Sequence, residues 1–206
     1  MTMINVRRTW IAVAIALATV LPNAAEEQAS PLVTDVGIDR SALPAAVDTV
    51  DGVTPLFRDG RVFIAGQPSQ GALTTLHGLG VTAVVNLRTP AEMEDRQRVP
   101  YDEAAAVAAL GMEYVRIPLG GDEHPYTPEA VDRLAEVLTD HRGPVLVHCT
   151  VGWRASYLWV AYLIREQGFV LADALARGKA MALSPDPLEG LLGRPLVVVY
   201  DGEPSP

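Results

Sequence analysis

The chain has 206 residues, 49% of them hydrophobic, with a formal net charge of −9 at neutral pH and a pI near 4.8. That length carries one domain with a full core. The acid excess argues against nucleic acid or an anionic membrane as a main partner, so any anion pocket has to be a local positive focus. The single cysteine, Cys149, excludes an intramolecular disulfide.

Residues 1–25 read as a secretory signal peptide. Arg7 and Arg8 precede an apolar run from Trp10 to Leu21, and Pro22-Asn23-Ala24-Ala25 offers small residues for cleavage before Glu26. The run is short for a bilayer span, although an uncleaved N-terminal anchor stays open as a second reading. A periplasmic or secreted protein with no stable membrane association after cleavage is the expectation. Residues 26–54 are polar, punctuated by Ala and Pro and weakly periodic, and are expected to form an extended, partly disordered lead-in. The domain proper is placed at 55–206.

Arg61–Ala65 predicts a first strand, and Ser69 caps a helix running through His77 to Gly78 or Gly80. Thr82–Leu87 is a second strand whose unbroken apolar centre suits burial on both sides. Pro90–Arg98 is expected to be a loop with one helical turn, Tyr101–Leu110 a helix ended by Gly111, and Glu113–Pro118 a third strand. Thr127-Pro128-Glu129 is a strong helix start, followed by a stripe of Ala130, Val131, Leu134, Val137 and Leu138. Val145–His148 is the fourth strand. Tyr157–Ile164 is apolar nearly all round and predicts a buried central helix, which Gly168 stops. Leu171–Leu183 is the last helix, and Leu196–Tyr200 an edge strand or docked tail. Strands alternating with helices over short links give an α/β fold, a mostly parallel central sheet of about four or five strands with helices on both faces.

The chemistry gathers where the fourth strand ends. Ligands of open α/β sheets bind at the carboxyl ends of strands, and Cys149 stands at one. The loop Thr150-Val151-Gly152-Trp153 then leads into a helix whose first N–H groups lack internal partners. Arg154 supplies a planar fork matched to an oxyanion. Positive potential in such a cup lowers a thiol's pKa, and a thiolate beneath a bound oxyanion is a nucleophile aimed at the central atom.

The pattern His148-Cys149-x-x-Gly152-x-Arg154-x-Ser156 resembles the signature loop of cysteine-dependent phosphatases. Those enzymes have five residues between Cys and Arg, with Ser or Thr next. Here four intervene, while Gly152 and Ser156 keep their places. Two readings stay open: a full-length loop with the arginine one position early and Ala155 in its usual place, or a shorter loop like that of rhodanese-type sulfurtransferases. A closer resemblance is to the phosphatase-like domain of bacterial beta-lactamase hydrolase-like proteins, a branch similar in fold to tyrosine and dual-specificity phosphatases that tends to have the shorter spacing. Phe63-Ile64-Ala65-Gly66-Gln67-Pro68-Ser69 and Val84-Val85-Asn86-Leu87-Arg88 carry it too, over about residues 55–183.

The resemblance implies a phosphatase of phosphorylated small molecules or proteins. Cys149 would take the phosphoryl group. Arg154 and the loop formed by Thr150, Val151, Gly152, Trp153 and Ala155 would hold its oxygens, and Ser156 would ease the thiolate's departure. A general acid should arrive on a mobile loop, and Gly120-Gly121-Asp122-Glu123-His124-Pro125 is the best stretch for it. Asp122 is the first choice, with Glu123 and His124 as alternatives. His148 props the loop, and Trp153 either walls the pocket or covers apolar surface. Gln67 and Arg88, which follow the first two strands, either reach the rim of the site or, the first choice, are solvated loop residues, and His77 and His141 read as surface helix residues. No grouping has metal-ligand spacing and no lysine-bearing phosphate loop is present, so neither metal nor cofactor is expected. Two rival functions remain: sulfur transfer through a Cys149 persulfide, and a catalytically weak cup that only binds an anion.

Overall fold

The computed structural model describes residues 34–181 and 187–196. The signal segment lies outside these residues, as does all of the proposed tail strand except Leu196. The sheet has six strands in the order β1-β2-β3-β6-β4-β5. These are β1 (Ala45–Ala46), β2 (Leu56–Asp59), β3 (Val62–Ala65), β4 (Ala83–Asn86), β5 (Glu113–Arg116) and β6 (Val145–His148). The block β3-β6-β4-β5 is parallel, and β1 and β2 extend it antiparallel. The α/β class and the mostly parallel sheet hold.

The four expected strands are β3 to β6, within a residue or two at each end. The difference lies upstream. Strands β1 and β2 were not expected, and the stretch called an extended lead-in packs: Val36, Val50 and Val53 are buried. Its hydrophobic residues are too sparse to show a period, yet Val36 joins one core and Val50 and Val53 the other, while Leu43 stays exposed.

Among the described residues seven helices surround this sheet: α1 (Gln70–Gly78), α2 (Pro90–Glu94), α3 (Glu103–Ala109), α4 (Pro128–Asp140), α5 (Trp153–Arg165), α6 (Leu171–Ala180) and α7 (Leu188–Leu192). Local chemistry sets their starts. Ser69 Oγ accepts from the Ala72 amide at 3.1 Å, Asp102 caps α3 the same way at 3.0 Å, and Pro128 opens α4. The α4 stripe is buried throughout. Helix α6 ends at Ala180, short of the expected Leu183, and α7 was not expected.

Successive side chains of a strand point to opposite faces, and β6 divides accordingly. Val145, Val147 and Cys149 join the larger core with α4 to α7, whereas Leu146 joins the smaller one with α1 and α3. Helix α5 is the centre of the larger core, with residues 155–163 all buried. The indole of Trp159 stacks on Tyr162 with centroids 5.2 Å apart. Parallel register brings the strand ends level: Ala65 and Asn86 both sit opposite His148. The chain therefore delivers Gly66-Gln67, Leu87-Arg88 and Cys149 to one edge of the sheet.

Candidate active site

Cys149 leaves β6 with its amide still bonded to the Ala65 carbonyl at 3.2 Å, and its side chain is 1% exposed. The chain then turns through Gly152 at φ +87°, the residue preceding α5. That left-handed turn aims the Gly152 amide back at the sulfur, Sγ···N 3.2 Å. A Cβ at Gly152 would stand 3.0 Å from Pro55 Cγ, and an L side chain resists this φ in any case. Trp153, Arg154 and Ala155 occupy the first turn of α5, where amides lack intrahelical partners.

The sulfur opens onto a cavity of about 510 Å³, lined by Cys149, Val151, Trp153 and Arg154 from the loop, by Tyr126 and Tyr157, and by Gly120, Gly121, Thr89 and Glu92. A larger hollow of about 730 Å³ lies along residues 46–57 beside Gln67. It is lined by Asp48, Asp51 and Thr54 but by no thiol, so the thiol cavity is the candidate site.

Arg154 is held by a residue that the sequence reading missed. Its NH1 donates to Glu92 Oε2 at 2.7 Å and NH2 to Glu92 Oε1 at 2.7 Å, a two-point pair. NH1 also donates to the Leu119 carbonyl at 2.7 Å and NH2 to Thr150 Oγ1 at 2.9 Å. The Thr150 hydroxyl in turn donates to Glu92 Oε1 at 2.8 Å. The terminal nitrogens are thus committed to the protein. Burial raises the Glu92 carboxyl's pKa, but hydrogen bonds from Arg154, the Thr89 amide and Thr150 outweigh it and hold the group at about 2. Burial alone would lower the guanidinium's pKa, yet Glu92 and the Cys149 charge leave it raised. The signal for Glu92 was present as Thr89-Pro90-Ala91-Glu92, a capping box with Pro at its first helical position. It fixes the α2 start, and the carboxylate that closes the box also faces Arg154.

The remaining expected residues fall as follows. Ala155, which the full-length reading puts in the arginine's place, is wholly buried in the core, while Arg154 lines the cup. Ser156 is buried, and its hydroxyl donates to the Gly152 carbonyl at 3.0 Å rather than to the thiol. Val151 and Trp153 stand at the rim, 50% and 55% exposed. The loop Gly120–His124 is closed by a Gly120 amide bond to the His124 carbonyl. Its glycines line the thiol cavity, whereas Asp122, Glu123 and His124 line an adjoining one with Glu94. His148 lies on the other face of the sheet, fully buried, with Nε2 3.2 Å from Glu103 Oε1.

Arg88 is buried and Gln67 half-buried, contrary to the sequence reading of both as solvated. Arg88 is 1% exposed. Its NH1 donates to Gln67 Oε1 at 2.6 Å and its NH2 to the Glu92 carbonyl at 3.1 Å. Nothing in their one-residue surroundings marks them, because the acceptors come from α2 and α3. His77 is exposed as expected, and His141 pairs with Glu113 at 2.9 Å.

The family described as DSP-PTPase phosphatase fused to NAD+ kinase matches residues 45–187, well over half of the chain. The chain belongs to this family. No curated protein matches it. Among solved structures, TpbA of P. aeruginosa, in a cysteine-to-serine form with phosphotyrosine bound, is 20% identical with a TM-score of 0.54, over 74% of this chain and 88% of that one. A DUF442 protein from Shewanella putrefaciens CN-32 is 24% identical with a TM-score of 0.51, over 64% and 91%. PTPMT1 with PI(5)P bound is 17% identical with a TM-score of 0.51, over 64% and 88%. These likenesses establish the phosphatase-like fold.

Proposed function

We propose that this phosphatase-family chain is an exported hydrolase of phosphate monoesters, phosphotyrosine among them, acting through a phospho-cysteine. The observation that carries the reading is the cup itself: a strand-end thiol accepting from the Gly152 amide, under the first turn of α5, with the Arg154 guanidinium alongside.

The Cys149 thiolate attacks phosphorus. The S–P bond forms as the ester P–O bond breaks, and the leaving oxygen takes a proton from Asp122 or one of its neighbours, Glu123 or His124, once the glycine-flanked loop has swung across the cup. Water then attacks, a P–O bond forms, the S–P bond breaks, and the same group takes the water's proton. Charge spread over the three equatorial oxygens is met by the loop amides, fixed donors that need no rearrangement, and by the positive charge of Arg154, whose terminal nitrogens must give up a protein partner in order to donate. Ser156, donating to a carbonyl in the resting chain, acts on the departing thiolate only after rotating its hydroxyl. Relatives in fold crystallised with phosphotyrosine and with a phosphoinositide support a phosphorylated protein or small molecule as substrate. Family membership favours phosphorus over sulfur chemistry and catalysis over simple anion binding. Export rests on the Arg7-Arg8 and Trp10–Leu21 pattern, and the amino-terminal sequence of protein recovered outside the cytoplasm checks it, beginning at Glu26 if the reading is right.

The enzymatic test measures aryl phosphate hydrolysis beside thiosulfate-dependent sulfur transfer. Phosphate release that vanishes in Cys149→Ser, with trapping of a phospho-enzyme in the wild type, is expected. Sulfur transfer without phosphate release would replace this reading.

A further inference from the structure

Behind the sheet edge lies a second buried carboxylate, on α3. Glu103 is 1% exposed. Its Oε1 accepts from Gln67 Nε2 at 2.9 Å and from the Tyr101 hydroxyl at 3.4 Å. Its Oε2 accepts from Asn86 Nδ2 at 2.7 Å and the Tyr114 hydroxyl at 3.0 Å. An isolated buried carboxylate is strongly disfavoured unless donors and a counter-charge surround it. Its Oε1 also lies 3.2 Å from His148 Nε2, on a ring that is fully buried. Neither ring nitrogen of His148 has an aligned hydrogen bond.

Two paths run from this carboxylate to the thiol loop. One is immediate: His148 directly precedes Cys149. The other passes through Gln67. The Gln67 side chain is gripped by Glu103 and Arg88, and its amide donates to the Thr150 carbonyl at 3.2 Å, directly after the thiol. Arg88 then holds the Glu92 carbonyl, and Glu92 holds Arg154. We propose that Glu103 is a positioning residue for the thiol loop, fixing the backbone on both sides of Cys149 from the opposite face of the sheet and, through Gln67, Arg88 and Glu92, the place of Arg154.

The loop has restraints of its own, the Cys149 amide on Ala65, the bridge between Gly66 and Val151 and the Thr150 hydroxyl on Glu92, but donors converge on a thiolate only if the backbone is held within a fraction of an ångström. The groups facing Glu103 are His148 on β6, Tyr114 on β5 and Tyr101 ahead of α3, with Arg88 one hydrogen bond further. Those facing the thiol are Arg154, Glu92, Tyr126 and Tyr157. Burial pushes the Glu103 carboxyl up, but the His148 charge and the surrounding donors bring it below the usual range.

The inference rests on the phosphatase reading for its catalytic consequence alone, since the thiol's acidity is measured separately. The experiment compares Glu103→Gln, Glu103→Asp and Gln67→Ala with the wild type, recording the pH profile of iodoacetamide alkylation, kcat and KM on an aryl phosphate, and thermal unfolding. Asp102→Ala, which weakens the start of the same helix but keeps the carboxylate, is the control. In Glu103→Gln the thiol's apparent pKa is expected to rise by about one unit and kcat to fall about tenfold with KM little changed. Gln67→Ala should show a smaller change in the same direction, and Glu103→Asp a partial recovery. Asp102→Ala should lower the unfolding temperature without moving the alkylation profile. A folded Glu103→Gln protein with the wild-type profile and kcat would overturn the proposal. If Glu103→Gln does not fold, an unmoved profile in Gln67→Ala would overturn it. A wild type that hydrolyses no phosphate while the profile still shifts in the variants would remove the phosphatase reading and leave the positioning role standing.

Discussion

Each end of the parallel strands carries a carboxylate bonded to an arginine, and the two pairs differ in what surrounds them. At the amino end, Asp59 of β2 accepts from Arg177 at 2.7 Å and from the Trp159 indole at 3.0 Å. Arg177 also donates to the Asp39 carbonyl and lies 5.0 Å over the Phe169 ring. Both side chains are almost wholly buried, 4% and 2% exposed. At the carboxyl end, Glu92 and Arg154 are 26% and 16% exposed and face a cavity. The closed pair ties β2 to α5 and α6 and has no side left for a ligand. The open pair leaves a guanidinium at the wall of a cavity, with its terminal nitrogens held by Glu92, Leu119 and Thr150. The same chemistry makes a sealed cross-link in one setting and the lining of a cavity in the other.

The contrast breaks first at Asp59. Asp59→Asn strands a buried guanidinium, a loss of about 3–5 kcal/mol, and should lower Tm by about 10 °C while kcat on an aryl phosphate, measured well below the transition, stays within about twofold. A kcat falling as steeply as Tm would mean the two ends are not independent. Glu92→Gln tests the other end. Arg154 keeps Leu119 and Thr150 as partners, so Tm should shift little, but the fork loses its two-point pair and kcat/KM should fall by about ten- to a hundredfold. Equal losses of stability and activity would put Glu92 with Asp59 as a mere tie.

The smallest effect is the acid limb. The folded Glu92 carboxyl, at about 2, lies below its ordinary value of 4.5. Its contribution to stability is therefore complete above about pH 4.5 and drains away as pH falls toward 2. The half-open setting screens it, so the change should be modest. Binding of sulfate, an anion whose charge persists in that window, should weaken across it in the wild type and not in Glu92→Gln.

Much of this was legible in the residues. The strand Val145–His148 and the thiol at its end carry their own pattern, because an unbroken apolar run followed by a Gly-bearing loop and a charged helix start has few other meanings. Thr127-Pro128 announced α4, and Ser69 announced α1. The misses share a cause. Strands β1 and β2 are short and take their stability from pairing across the sheet, which no local period records. Glu103 and Arg88 look like solvent-facing charges because each is satisfied by residues tens of positions away, from Gln67 to His148. Burial of a charge is decided by the fold, after local propensity has had its say. For Ser156 the spacing gave the place, and the hydrogen bond to Gly152 depended on a rotamer that spacing does not encode.

The left-handed turn at Gly152, wedged against Pro55, divides this loop into fixed and free positions. Its two neighbours, Val151 and Trp153, stand half exposed at the rim of the thiol cavity. Diversity in what the enzyme accepts can therefore accumulate at 151 and 153, whereas residue 152 stays the same through any such change. A library built to redirect the enzyme toward new esters should randomise those two flanking codons and leave the one between them alone.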